Sequence, residues 1–451
     1  MKAQKILTAA AVLLIAGSLS FGNGLNLNSV GARALAMGGA FVGLANDASA
    51  LFWNPAGLAF FKAKTFSFYG SDIIPSGTYN LTLPSPVAAA LGVKPTVVDT
   101  KTQTKHYLGG MVGYIHPISE KLVAAFGIYQ PSGLGAAWNS ADLGFISGNR
   151  LDIEWSSKVG LITFAPTLAY KVNEKLSFGA QLNINYGIFN VSTYAGSAVI
   201  PIPPYTFDLG QYEESETGWG LGATFSALLK PSDIFSLGLT VRTPSTVKFS
   251  GEAAISSISL LGFAGKSDMD REVTWPLWVA GGLAFKPLTN LTVTADVQYT
   301  GWKTIDVIET TYKDPLWAQL MLASGKTEMP MHWDNRVQVR FGAEYLVNET
   351  FALRGGYYND PAPAPDKTMN ILLPNYDFNA FTLGIGYTLG ALQLDFGIEY
   401  LLGKDRDISF LKTFTNPQIP NPAYDPEYVD AQPGKYGMKI VAPTIMVTYR
   451  F

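Results

Sequence analysis

Over long stretches of this chain apolar and polar residues alternate one by one. Leu291, Val293, Ala295, Val297 and Tyr299 are interleaved with Thr292, Thr294, Asp296, Gln298 and Thr300. Val337, Val339, Phe341, Ala343 and Tyr345 likewise alternate with Arg336, Gln338, Arg340, Gly342 and Glu344. Leu392, Leu394, Phe396, Ile398 and Tyr400 alternate with Gln393, Asp395, Gly397 and Glu399. Period two belongs to an extended strand with one apolar and one polar face. The pattern predicts about fourteen strands: 64–71, 105–116, 121–130, 159–171, 176–191, 217–229, 234–248, 274–286, 291–303, 335–346, 351–358, 378–389, 391–402 and 438–451.

Periodicity alone does not say which face is outside, but the connections do. Links at 117–120, 172–175, 230–233, 287–290, 347–350 and Gly390 are short, and they alternate without exception with long links around 72–104, 131–158, 192–216, 249–273, 304–334, 359–377 and 403–437. Short periplasmic turns and long extracellular loops are the layout of an outer-membrane barrel, whose apolar face meets lipid and whose polar face lines the lumen. An even number of strands returns both termini to the periplasmic side. The last strand, with Ile445, Val447, Tyr449 and a terminal Phe451 on one face, resembles the C-terminal signal of such barrels, which implies the barrel-assembly machinery as a partner.

Residues 31–59 break the pattern: fourteen of these 29 residues are Gly or Ala. Asp47 can start a turn through 48–52, and Asn54 before Pro55 reads as a helix N-cap with proline at the first helical position. A segment so poor in bulky side chains can hardly form a core of its own, so it is expected to pack as broken helices inside something larger. The ordered run Arg33 to Phe41, Asn46-Asp47-Ala48-Ser49-Ala50 and Asn54-Pro55-Ala56-Gly57-Leu58-Ala59 resembles the N-terminal hatch of the FadL/TodX-type outer-membrane transporters. That family takes up long-chain fatty acids and, in some branches, aromatic hydrocarbons. The resemblance implies an all-β transmembrane antiparallel barrel, residues 63–451, with a hatch of short helices, residues 23–62, in its lumen. Further family-like runs are Ile128 to Leu134, Pro166 to Lys171, Leu237 to Pro244 and Leu353 to Tyr357.

Composition agrees with a barrel in lipid. Aromatics make up 13% of the 451 residues and charged residues only 15%, while Gly and Pro number 45 and 27. A net charge of −3 points away from nucleic acid. The absence of cysteine excludes disulfides, thiolate metal sites and a cysteine nucleophile. His106, His116 and His332 are scattered, so neither a metal centre nor a catalytic constellation is expected, and no cofactor is called for. Lys2 and Lys5, the apolar run 6–16 and the small residues 17–22 read as a secretory signal, cleaved after Gly22 or after Ser20. Export then ends in a Gram-negative outer membrane, with its lipids as surroundings and the barrel acting as a monomer.

Candidate functional residues follow. Arg242, Asp296, Arg336, Arg340 and Arg354, with Glu344, Asp395 and Glu399, fall on polar faces by parity and are expected to pair inside the barrel and hold the hatch through Arg33 or Asp47. Pro131 lacks a donor and Gly133 a side chain, so Pro131-Ser132-Gly133 should interrupt strand pairing. The resemblance implies that this kink opens a lateral exit. By the same resemblance Leu134, Trp138, Leu143 and Phe145 collect the ligand, and Arg150 suits a carboxylate. The expected function is uptake of a hydrophobic small molecule, a long-chain fatty acid or a hydrocarbon, by passive hatch-gated diffusion. A surface adhesin or structural barrel is the rival.

Overall fold

A computed structural model describes residues 24–201, 204–414 and 421–451. The expected signal segment and Asn23 lie outside the described residues. The chain forms a closed antiparallel barrel of fourteen strands. They are β1 (Thr65–Thr82), β2 (Tyr107–Pro117), β3 (Leu122–Ala137), β4 (Ser156–Asn173), β5 (Leu176–Tyr194), β6 (Gln211–Ser232), β7 (Phe235–Arg242 with Ser245–Ile255), β8 (Lys266–Trp275 with Trp278–Leu288), β9 (Leu291–Thr300), β10 (Arg336–Leu346), β11 (Phe351–Asp360), β12 (Phe378–Leu389), β13 (Leu392–Gly403) and β14 (Gly434–Arg450). Each strand pairs with the next over part or all of its length, and β14 returns to β1 in register from Thr65↔Arg450 to Asn80↔Lys435, so the barrel closes.

Parity places the faces as expected. Leu221, Phe225, Leu239, Leu383 and Ile385 are exposed on the outer wall, while Thr292, Thr294, Asp296 and Gln298 are buried inside it. The strand bounds differ from the sequence expectation in two instructive ways. β1, β4 and β6 run several residues further outward than their apolar alternation, because a ladder continues above the membrane once lipid no longer demands an apolar face. β7 and β8 are each interrupted, at Thr243-Pro244 and Pro276-Leu277, one beside the other in the wall. Proline donates no ladder hydrogen bond, and Thr243 repairs part of the break by exchanging bonds with Ala223 through its own N–H (2.9 Å) and Oγ1 (2.9 Å).

Above the apolar band the inner wall carries a second kind of pairing. On β6 the outward residues Ser215 and Thr217 are polar, whereas Trp219 and Leu221 begin the exposed apolar face. Glu214 and Glu216 point inward at this level and share one guanidinium, with Arg271 Nη2 2.7 Å from Glu214 and Nε 2.9 Å from Glu216. Tyr212 donates to Glu214 and meets Tyr312. Burial, opposed by Arg271, pushes the Glu216 carboxyl up to about 8. The native state therefore holds a proton that an unfolded glutamate releases near 4.5. Stability is full below that value and is lost as pH rises towards about 8. The parent protein is expected to melt at a lower temperature at pH 9 than at pH 6, with Glu216→Gln removing most of the difference. Equal pH dependence in both proteins would contradict this.

A plugged lumen with a gap in its wall as the candidate functional site

The lumen is filled by the N-terminal segment, folded as α1 (Ala32–Ala36), α2 (Ala50–Trp53) and a 3-10 turn, Pro55–Phe60. Asp47 Oδ1 accepts from the Ser49 N–H (2.8 Å), so the chain turns just ahead of α2. Asn54 caps the 3-10 turn by accepting from the Ala56 N–H (3.1 Å). Helices this short leave most of their backbone groups without internal partners. Side chains of the barrel wall supply them: Gln181 Nε2 donates to Leu51 O, Thr240 Oγ1 to Trp53 O, Ser177 Oγ to Ala56 O, and Val42 N–H donates to Asp296. The Ser, Thr and Gln of the polar strand faces are thus a lining matched to a backbone. Close approach explains the glycines too. A Cβ at Gly356 would run into the Gly38 backbone, and one at Gly238 into the Val42 carbonyl.

A buried charge network fastens this plug. Arg33 grips Glu344 with two hydrogen bonds of 2.7 Å, from Nε and Nη2. Glu344 also accepts from Arg354 Nε (2.7 Å), whose Nη1 reaches Asp395 (2.8 Å), and Asp47 stands 3.7 Å from Arg33. Three strands and the hatch are tied together here, as parity and the rule that buried charges are paired led one to expect. Three other charges behave differently. Arg336 donates to Ala362 O (2.6 Å) and lies 3.6 Å from Asp334, at the rim rather than against the hatch. Arg340 donates to Gly38 O (3.1 Å), and Arg242 to Phe52 O (3.1 Å). Among the described residues neither Arg242 nor Arg340 forms an ion pair, which corrects the expectation of pairing.

The wall itself is incomplete between β2 and β3. Their ladder runs from Pro117↔Val123 to Met111↔Tyr129 and stops. Further out, Tyr107 to Gly110 still pair with β1, while β3 bends inward with a register shift between Tyr129 and Ser132 and pairs only with β4 among the barrel strands. Pro131-Ser132-Gly133 therefore lies inside a strand rather than at its end, and residues 130–136 are all buried. The edge abandoned by β2 is taken by the N-terminal segment: Leu27 N–H donates to Pro131 O (2.9 Å), Gly133 N–H to Leu25 O (2.9 Å), and Asn26 bridges Ser132. Leu27 sits just behind the gap, near Gly109 of β2. Above it Gln103 N–H donates to Ala137 O (2.8 Å), so the opening is bounded at both ends.

Outside this stopper the lumen is apolar. Leu134, Trp138 and Leu143 are buried in one cluster with Leu25, Leu27, Phe189, Trp275 and Trp302. Phe145 is exposed, and Arg150 is held by Asp152 (2.5 and 2.7 Å) and Asp208 (2.9 Å), so its guanidinium is already engaged. The cluster is completed by a segment that the alternation places among the outer loops. Residues 361–377 fold down into the barrel, burying Met369, Ile371, Leu373 and Tyr376, and Trp138 Nε1 donates to Ile371 O (2.8 Å). The signal for it was the run Met369 to Pro374, too apolar for a solvated loop. Asn375 accepts from the Gly24 N–H (2.8 Å), joining this segment to the start of the hatch.

A lipid-facing antiparallel barrel closed by its own N-terminus, with a packed apolar cluster above the plug and a gap in the wall beside it, has the parts of an outer-membrane conduit for apolar molecules. The chain belongs to the outer membrane protein transport protein family (OMPP1/FadL/TodX), whose profile matches residues 12–429. It is 22% identical to a long-chain fatty acid transport protein of Escherichia coli over 447 residues, covering 89% of this chain and 92% of that one. Two crystal structures share the fold. A Pseudomonas aeruginosa FadL homologue superposes with a TM-score of 0.72 at 16% identity, over 95% of this chain and 100% of that one. The Pseudomonas putida toluene transporter TodX gives 0.69 at 15% identity, with the same coverage. The protein is thus an outer-membrane transporter of hydrophobic compounds.

Proposed function

We propose that the cargo is a long-chain fatty acid, captured by the outer loops, held in a chamber that opens within the apolar cluster above the plug, and released sideways into the membrane through the gap between β2 and β3. The observation that carries this reading is the stopper: residues 25–27 occupy the strand edge that would otherwise be open beside the chamber. Withdrawing them frees Pro131 O and the Gly133 N–H and clears Leu27 from the gap. A lateral exit spares an apolar chain the passage through a wet periplasmic opening, and diffusion down a gradient needs neither catalysis nor a cofactor. The wall contacts of Leu51, Trp53 and Ala56 stay in place during such a step, because only the N-terminal end of the hatch has to move. That end is tied to the kink and to Asn375 by a few hydrogen bonds rather than by ions.

The name of the E. coli relative supports a fatty acid. Phe451, exposed beside Tyr449 at the end of β14, is offered to the assembly machinery, and a single barrel suffices for the route. The test is uptake of radiolabelled oleate into liposomes carrying the purified protein, with toluene as the competing cargo. Saturable oleate uptake that toluene barely inhibits is expected. Toluene uptake without oleate uptake would assign the hydrocarbon reading, and neither would return the protein to the adhesin class.

A further inference from the structure

The apolar cluster above the plug is built partly from wall and partly from loop. Trp138, Val159, Phe189 and Trp275 come from the wall side, while Met369, Ile371 and Leu373 come from the segment that joins β11 to β12. Neighbouring antiparallel strands need only a few residues to connect. Residues 361–377 are far more than that, and they carry no strand. One arginine gathers the base of this segment at the outer rim: Arg406 donates to Asp366 Oδ1 from Nε and Nη2 (2.8 and 2.6 Å) and to Asn375 O from Nη1 (2.8 Å). Asp366 is exposed, whereas Met369 and Ile371 beyond it are fully inaccessible. The chain between the two feet therefore dips into the lumen and returns. Most of its fastenings join a side chain to a backbone group. Trp138 Nε1 donates to Ile371 O (2.8 Å), Ser157 Oγ donates to Leu372 O, and the Ile371 N–H donates to Gln432 Oε1 (3.1 Å). Asn370 Oδ1 accepts from the Leu372 and Leu373 N–H groups (3.0 and 2.8 Å), so part of the turn is satisfied from within. Among the described residues no ion pair reaches 368–374; the charged contacts stop at Asp366 and Lys367.

We propose that residues 368–374 are a strap that fills the cargo's place in the lumen, so that the chamber opens only when the strap lifts; this rests on the fatty-acid reading and adds to it a gate on the outer side. The strip has the chemistry of the cargo, aliphatic side chains against aromatic walls, and so competes for the same surface. Lifting it with nothing in exchange would expose Met369, Ile371 and Leu373 to water and leave a void beside Trp138 and Phe189, and both are unfavourable. An aliphatic chain arriving from the outer loops covers the walls and removes the void. A polar solute offers no such exchange, so the strap stays down. Its backbone loses little on leaving, because the carbonyls released by Trp138 and Ser157 find water at the rim. The feet at Asp366 and Asn375 stay on Arg406 and act as the hinge. The hatch takes no part in this step.

The test is oleate binding to the purified full-length protein in lipid nanodiscs, read by quenching of tryptophan fluorescence. Truncating a residue that only lines a pocket weakens the ligand, whereas truncating a strap that competes with the ligand strengthens it. For Ile371→Ala the dissociation constant for oleate is expected to fall about tenfold, because a larger share of the protein is open before the ligand arrives. Arg406→Gln, which loosens only the feet at the rim, should shift it in the same direction by less, and carries the test if Ile371→Ala fails to fold. A single cysteine gives an independent reading, since the chain has none of its own. Ile371→Cys should react slowly with a water-soluble maleimide in the empty protein and about tenfold faster with oleate bound, as expected of a local opening. Val159→Cys, equally buried but on the β4 wall, should stay slow in both states. An oleate affinity that is weaker or unchanged in the folded variants would make 368–374 a fixed part of the lumen core and overturn the proposal, as would an Ile371→Cys thiol that oleate leaves slow. If the parent protein takes up oleate with either of those outcomes, the strap fails while the uptake reading stands; if it neither binds nor takes up oleate, both fail.

Discussion

Removing residues 24–60 is expected to leave a folded barrel that leaks small polar solutes. The wall depends on the plug for hydrogen bonds at one place, the β3 edge that residues 25–27 occupy, and elsewhere the fourteen strands close on themselves. The plug in turn has no core without the wall: nearly all of its residues are buried against lumen side chains. A finer lesion should act in the same direction. Glu344 is the acceptor shared by Arg33 and Arg354, both nearly inaccessible, so Glu344→Ala leaves Arg33 only Asn46 and the more distant Asp47, and Arg354 only Asp395. Breaking a buried pair by deleting one partner costs about 3–5 kcal/mol, and here the loss falls on the contact that ties the hatch to β10 and β11. Liposome swelling in sugars should therefore be fast for the deletion and intermediate for Glu344→Ala, with the heat-shifted gel mobility of a folded barrel retained in both. An impermeable deletion protein would mean that something other than residues 24–60 seals the lumen.

Much of the architecture was legible because lipid imposes a strict rule. Every spanning residue must choose a side, so alternation reveals the strands and their facing residues, as at Leu291 to Thr300. The hatch was legible from the opposite signal, small residues and two caps, and Asn54 caps as its neighbour Pro55 suggested. Strand ends outside the membrane were not legible, since polar residues on both faces of β6 above Trp219 carry no period. The break at Pro244 was missed because apolar alternation on either side of a proline looks like one strand, and the one at Pro276 because the strand before it, Lys266–Trp275, is too polar to show an apolar face. The inward fold of 361–377 could not be inferred from loop length, only from its apolar residues. Arg242 and Arg340 were placed in the lumen correctly but assigned partners they lack, because parity locates a side chain without locating its counter-charge. The alternation stops β3 at residue 130, just before Pro131, whereas β3 continues to Ala137 and it is β2 that lets go.

Locking the stopper to the kink is expected to abolish uptake without affecting capture. Asn26 and Ser132 face each other across an antiparallel bridge, with Ser132 Oγ 3.2 Å from Asn26 Oδ1. Bridged residues of this kind have Cα atoms about 4.5–5.5 Å apart, within the range a disulfide spans. The chain has no cysteine of its own, so Asn26→Cys with Ser132→Cys can form one intramolecular bond and no other. The closed bond would hold residues 25–27 on the β3 edge and keep Leu27 behind the gap, whatever binds in the chamber. The decisive measurement is oleate uptake by liposomes containing this double variant, oxidised and then reduced, beside each single variant. The oxidised protein should bind oleate as the parent does but transport it at the rate of empty liposomes, with reductant restoring transport. Transport at the parent rate through the oxidised, correctly folded barrel would contradict a route past the N-terminal stopper between β2 and β3.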